Sequence, residues 1–343
     1  MKKQENFEFS SVALTPSGPV VPDIMDRKTN KEYVNWGEDN KLPDYLWDNY
    51  LKCSNLQAIV NTVVDYVCGD RIVIGNFPYE NIEDDIRNAA FDYVLFGGFA
   101  FECIRNRVGD IVRVNHIGVS HIRVDEELTT AFIAPRWNQY SSKDITKLPL
   151  YNPKEKQDHF VLYFRGNITR GINPVPCYIS ALKSIEILNN TRNFHLRNLE
   201  NGFTSSVVIS LNNGIIKQRE LEKIKEDLEA NYTGSSNAGK VIIVNAQDKE
   251  HAPTIERLQA DNFGDLYKSL SESSVNDIFI AFRINPVLLG TNVSGGFNPV
   301  EYQNIFEMYN RTFVRPMQHS IAKVLEKIGI DVKFEKFKID WVE

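Results

Sequence analysis

Residues 174–201 read PVPCYISALKSIEILNNTRNFHLRNLEN, and the way this stretch folds decides the architecture around it. Pro174 and Pro176 punctuate the chain. From Tyr178 to Glu200 no Gly or Pro intervenes, so the segment predicts one helix of roughly 23 residues, about 34 Å long at 1.5 Å per residue. Its apolar positions Leu182, Ile185, Leu188, Leu196 and Leu199 form a narrow stripe, and Lys183, Glu186, Asn189, Asn190, Arg192, Asn193 and Arg197 cover the rest. A long, mostly polar helix needs neighbours on both sides or water over most of its surface.

Downstream, Asn201–Gly202 closes the helix. SSVVISL then reads as a strand, Lys217–Ala230 as a charged helix, and Lys240–Asn245 as a second strand, a compact insertion. Leu258 to Ala281 returns as a second long helix, softened at Gly264 and carrying Leu266, Leu270, Ile278 and Ile280. Two long helices flanking a small α/β insertion make a stalk with a knob. INPVLLGTNVSGGFNP (284–299) holds two Pro and three Gly and must leave the helix as a loop. Glu301 to Ile328 resumes a helical pattern, which Pro316 should kink near Thr312 by removing a backbone donor. The closing VKFEKFKIDW alternates like a strand that returns to the first domain.

Upstream, residues 1–41 mix Pro, Gly, Ser, Asn and Asp without periodicity, predicting an extended arm over 1–35. Leu46, Tyr50, Leu56, Ile59, Val63 and Val67 are spaced as helices interrupted near Ser54 and stopped at Gly69. Ile82–Phe96 predicts another helix, broken at Gly97–Gly98. FAFECIRN follows as a strand turning at Arg107–Asp110 into IVRVNHI. Ile122–Val124, Thr130–Pro135 and His159–Phe164 read as further strands, separated by a polar stretch, Ser141–Lys156, expected as surface loop.

Composition narrows the function classes. The chain has 343 residues, 42% hydrophobic and 24% charged, with 20 Phe and 14 Tyr. That suits packed domains and contact surfaces between subunits. The formal charge is −6, from 39 basic and 45 acidic residues. The basic excess of a tight phosphate binder is missing, and a weakly acidic wall repels DNA mildly, as a conduit should. Cys53, Cys68, Cys103 and Cys177 show no metal-ligand or CxxC spacing and read as buried free thiols. No signal peptide and no membrane span is expected.

Gly234–Lys240, GSSNAGK, imitates a phosphate-binding loop, but Val241 stands where that loop needs Ser or Thr. The context is inverted too, because the string follows a helix and precedes a strand. A helix-to-strand turn is the preferred reading, and a nucleotide-binding enzyme is the alternative. His116 and His121, with Asp125 nearby, have opposite strand parity and are not expected to share a metal. Nothing assembles a nucleophile, a base and an oxyanion site, so no enzyme and no cofactor is expected.

Six segments, in this order, resemble the portal proteins of tailed bacteriophages, most closely those of lambda-like siphophages. They are EDNKLPDYLWDNYLKCSNLQAIVNTVVDYVCGDRI, FGGFAFECIRNRVGDIVRVNHI, LRNLENGFTSSVVISL, YTGSSNAGKVIIVNA, IFIAFRINPVLLG and FNPVEYQNIFEMYNRTFVRP. The resemblance spans roughly residues 36–343 and implies an α+β portal fold. In it, residues 36–177 and 299–343 form a wing, 178–200 and 258–285 two stem helices, 201–257 a clip, and 286–298 a tunnel loop. A helical crown is expected to be absent or minimal. The resemblance further implies a dodecameric ring at one capsid vertex of the virion, assembled in the host cytoplasm, with double-stranded DNA passing through it without sequence specificity. Thr291, Asn292, Val293, Ser294, Gly295, Gly296 and Asn298 would face that DNA. The clip, with Lys217, Arg219, Glu222, Lys225 and Glu226, would dock the terminase large subunit and later a head-completion or adaptor protein, and the major capsid protein would grip wing and stem.

Overall fold

The computed structural model describes residues 26, 31–75, 81–137, 144–166, 171–200, 208–211, 223, 242–245, 263–290 and 298–337. The fold is mixed α and β, as expected. Helices α1 (Leu42–Lys52) and α2 (Ser54–Cys68) meet at Cys53, whose extended backbone makes the break anticipated near Ser54. Leu46, Leu56, Ile59, Val63 and Val67 are all buried. Helix α2 stops at Gly69, where φ is +66° and an added Cβ would lie 1.9 Å from the Glu335 carbonyl oxygen. Only glycine satisfies both the left-handed turn and that approach.

The Glu335 carbonyl belongs to the returning strand. Strand β1 (Arg71–Ile74) pairs antiparallel with the last described strand, Val332–Glu335, which closes the chain's end onto its first helices. Helix α3 (Ile82–Phe96) ends at Gly97, φ +86°, as its sequence predicts. Strands β2 (Phe99–Arg105) and β3 (Ile111–Ile117) form the expected hairpin, and β7 (His159–Phe164) covers the other edge of β2. A second antiparallel sheet joins β4 (Ile122–Val124), β5 (Thr130–Ile133) and β6 (Thr146–Pro149).

Strand β6 corrects one expectation. The polar stretch Ser141–Lys156 contains a strand that pairs with β5, and Leu148 and Leu150 are buried beneath it. Ile145, Leu148 and Leu150 scattered among many polar residues are a weak periodic signal, and the edge of β5 supplies the missing stabilisation. The stretch leading into α1 is packed into the fold. Tyr33 and Val34 are buried, and Tyr33 packs on Trp137 at 4.8 Å between ring centroids. Trp36 is also buried and donates its indole N–H to the Pro174 carbonyl at 3.1 Å.

Between them sits Arg123, only 1% exposed. It donates to the Asn40 carbonyl and side-chain oxygens and to the carbonyls of Ser120 and Ile122, and its guanidinium lies over Trp36 and Trp137. Burial pulls its pKa down to about 9. Of the four thiols, Cys53, Cys68 and Cys103 are buried as anticipated and Cys177 is exposed. Burial raises Cys68 to about 11 and Cys103 to about 12.

Candidate functional site

Two helices project from this core. Helix α4 covers Leu182–Glu200, preceded by a 3-10 turn at Ile179–Ala181, so the helix proper starts four residues later than Tyr178. Tyr178 is instead a core residue, stacked on Phe282 at 5.0 Å and donating its hydroxyl to the Leu95 carbonyl at 2.8 Å. Helix α5 (Phe263–Ala281) packs against α4, and Gly264 lies within it without ending it. Ile185, Leu188, Ile278 and Phe282 seal the near end of the pair. Ser184 bonds Asp277 across it at 2.8 Å, and Phe194 meets Tyr267 farther out at 5.1 Å between centroids.

The apolar stripe predicted for these helices divides. Leu182, Ile185, Leu188 and Ile278 are core, whereas Leu196 and Leu270 farther out are 54% and 39% exposed, Phe194 is 44% exposed, and Ile280, at the near end itself, is 63% exposed. Conversely Asn189, read as part of the polar cover, is buried and bonded to Asn49 of α1 at 3.1 Å. Amphipathicity alone cannot separate a face that meets its own chain from one that meets nothing in it.

Helix α5 hands the chain to the loop through a rigid root. Arg283 adopts φ +53°, its guanidinium 4.8 Å from the centre of the Phe313 ring. A 3-10 turn, Pro286–Leu289, is capped by the Asn285 side chain and closed by Gly290 at φ +72°. The Tyr66 hydroxyl donates to the Leu288 carbonyl at 2.8 Å and sits 3.1 Å from the Tyr302 hydroxyl. Burial, then the Tyr302 hydrogen bond, holds the Tyr66 pKa well above its ordinary value. Tyr302 lies on helix α6 (Pro299–Tyr309), whose N-terminus is capped by Asn298 accepting from Val300 N and Glu301 N at 3.2 and 3.3 Å. One tyrosine of α2 therefore ties together both ends of residues 291–297. The sequence pattern had no signal for this clamp, because Tyr66 reads as one more core position of α2.

Of the expected loop residues, Asn298 is the helix cap just described, and Thr291, Asn292, Val293, Ser294, Gly295 and Gly296 lie outside the described residues. Beyond α6, residues Asn310–Val314 form a π-turn before helix α7 (Arg315–Glu326). This is the predicted kink. Pro316 cannot donate to the Thr312 carbonyl, and the chain absorbs the lost bond by widening one turn, with the Thr312 hydroxyl donating to the Met308 carbonyl at 2.8 Å.

In the knob, β8 (Val208–Leu211) and β9 (Ile242–Asn245) pair in parallel. A parallel pair requires a crossover between its strands, and Lys223, which lies between them in sequence, is helical. Lys217, Arg219, Glu222, Lys225 and Glu226 lie outside the described residues. So does Gly234–Lys240, but Ile242 already begins a strand, whereas a phosphate cradle must lead into a helix. The nucleotide-enzyme alternative therefore has no support.

The remaining candidates settle differently. His116 and His121 were expected on opposite faces, yet both line one cleft, because His121 falls in a 3-10 turn and escapes strand parity. His116 Nε2 lies 2.8 Å from Asp92, which also accepts from Val119 N at 2.7 Å. Among the described residues no cluster of three ligating side chains could hold a metal ion, and no helix is long and apolar enough to cross a membrane.

Residues 78–340 match the family model described as phage portal protein. The chain belongs to the phage portal protein family. It is accordingly a portal component of the virion's capsid vertex. No curated protein matches the sequence. Among solved structures, the chain is similar to one from the virion of a native gene transfer agent particle, with 12% identity and a TM-score of 0.56 over 88% of this chain and 84% of that one. It is similar also to one from the neck of the native particle computed with twelvefold symmetry, with 12% identity and a TM-score of 0.56 over 93% and 87%. A third is an HK97-family phage portal protein from Corynebacterium diphtheriae, with 11% identity and a TM-score of 0.51 over 84% and 94%. At these identities the shared feature is the portal fold.

Proposed function

We propose that this portal works as a closed ring of identical subunits, twelve by analogy with its family, around a channel for double-stranded DNA. The observation that carries the reading is the unfinished stem, where Phe194, Leu196, Leu270 and Ile280 remain exposed on two helices packed against each other. Exposed apolar side chains favour contact with a neighbouring subunit, and head-to-tail contacts close into rings when the rotation permits. The gene transfer agent neck of the same fold, described with twelvefold symmetry, supports the subunit number.

The channel reading extends to residues 291–298. A loop held at both ends by Tyr66 and rich in Gly can adjust to a passing helix while its roots stay fixed. The net charge of −6 keeps the wall from gripping phosphates. The knob that carries β8 and β9 is the proposed docking site for terminase and afterwards for a head-completion protein, with the major capsid protein against wing and stem. Negative-stain imaging of the purified protein tests the ring directly. Annular particles with a central hole are the expected result, and a monomer at every concentration and salt overturns the reading.

A further inference from the structure

The charge of the chain is unevenly placed. Arg311, Arg315, His319, Lys323 and Lys327 follow one another at four-residue steps, from the π-turn through helix α7 to the turn that closes it, and all five are exposed. Glu326 is the one acid in residues 311–327, so with His319 neutral the segment is formally +3 within a chain of −6. Among the described residues none of the five cations has an ion-pair partner, and Glu307, one turn before Arg311, is taken by Lys336.

The opposite face seats the helix firmly. Met317, Ile321, Val324 and Leu325 are buried, the Gln318 side chain donates to the Val67 carbonyl at 2.9 Å, and the Lys327 carbonyl accepts from the Tyr151 hydroxyl at 2.9 Å. Four-residue steps on a straight α-helix drift by about 40° each, which would carry Lys323 about 120° away from Arg311. The π-turn Asn310–Val314 takes an extra residue into one turn, and that rotates Arg311 back toward the line of Arg315, His319 and Lys323. The widening that accommodates Pro316 thus also aligns the cations.

We propose that this face of α7 binds the phosphate backbone of duplex DNA and holds it against the subunit, apart from the channel. The inference rests on the portal reading for the presence of DNA beside the protein. From Arg311 to Lys327 the row is about 24 Å long, and over that length one strand of a duplex presents about seven phosphates. Arginine and lysine on a firmly seated helix meet phosphates in many registers, which suits DNA of any sequence. An acidic protein is the poorer fit, because no large apolar side chain is exposed from 311 to 327 to anchor one. The acidic remainder of the chain confines retention to this row, so DNA can be held here and still slide in the channel.

The test is binding of the full-length protein to a covalently closed duplex minicircle, which cannot thread a closed ring, followed by fluorescence anisotropy as salt is raised. Four permanent cations should give a plot of log K against log salt with a slope of about −3.6. R315Q/K323Q should make that slope shallower by about two and weaken binding at about 0.1 M salt by more than about tenfold, with the melting temperature unchanged. K183Q/R192Q, which alters two exposed cations of α4, should leave slope and affinity alone. Minicircle binding that is absent, or that R315Q/K323Q does not weaken, overturns the proposal. Binding to linear duplex alone would assign the DNA contact to the channel and overturns it too. Displacement of the minicircle by poly-glutamate as readily as by an equal charge of unlabelled duplex would make the face a receptor for an acidic protein, and this also overturns it. A chain that forms no ring yet shows the R315Q/K323Q effect would sink the ring reading and leave this one standing.

Discussion

Arg123 and Ile280 occupy opposite situations. The wing encloses a cation that is 1% exposed, and the stem displays an isoleucine that is 63% exposed. Arg123 is tolerable because each neighbour answers it: two oxygens of Asn40, two carbonyls, and two indole faces. Ile280 has no such enclosure from its own subunit. A protein that completes one region so fully and leaves another open has its monomer stability in the first and its assembly in the second. Substitutions in the wing should therefore move unfolding, and substitutions at the exposed apolar positions of the stem should move association.

Arg123→Ala is the severest way to probe the contrast. It removes four hydrogen bonds to Asn40, Ser120 and Ile122, leaving Trp36 N as a donor to the Asn40 side chain, and empties the space between two indoles, a loss of about 3 kcal/mol or more. The urea midpoint should fall sharply, and Arg123→Lys should recover little of it because an ammonium cannot reproduce the planar fork. Full recovery by Lys would mean that the charge, and not the fork geometry, holds Tyr33–Asn40 to the strands.

The buried thiols give the next effect. Burial raises Cys68 to about 11 and Cys103 to about 12, from an ordinary value of 9.0. Above pH 9 the unfolded chain loses these protons while the folded chain keeps them. Their contribution is whole below pH 9 and is lost as the pH climbs through 11 to 12. Urea titrations at pH 7.5 and 10.5 should differ by about 2 kcal/mol for each thiol, and Cys103→Ala should flatten the slope.

Tyr66→Phe addresses the seam between the regions. It removes the hydroxyl that joins Leu288 to Tyr302, at a cost of about 1 to 2 kcal/mol. Hydrogen exchange should quicken at Gly290 and at the start of α6 more than in the hairpin of β2 and β3. Uniform quickening would show that the clamp serves the core as a whole.

What the sequence disclosed, and what it withheld, follows the same division. Local chemistry was legible: Gly69 and Gly97 stop helices because left-handed φ excludes other residues, and Pro316 widens the helix at the carbonyl it cannot reach. Features that depend on distant partners were not. The burial of Tyr33 and Trp36 has no local signal because their partners, Trp137, Pro174 and Arg123, lie more than a hundred residues away or carry a charge that argues against burial. Asn189 looked solvated because Asn49 is invisible to helical periodicity. At the candidate site, Asn298, which the resemblance places on the tunnel loop, also caps α6, a role that the Pro at the next position signals.

The smallest effect on folding should be the most informative about assembly. Leu270→Asp and Ile280→Asp each replace an exposed apolar side chain, so the monomer should change by no more than about 0.5 kcal/mol. In the ring proposed here, each would bury a carboxylate against the next subunit at every interface at once, because symmetry repeats any single change around the whole circle. Sedimentation should then show monomers with an unaltered melting temperature. Rings that persist in both variants would place the subunit contact elsewhere on the stem, with Phe194 and Leu196 the exposed apolar pair on α4 among the described residues.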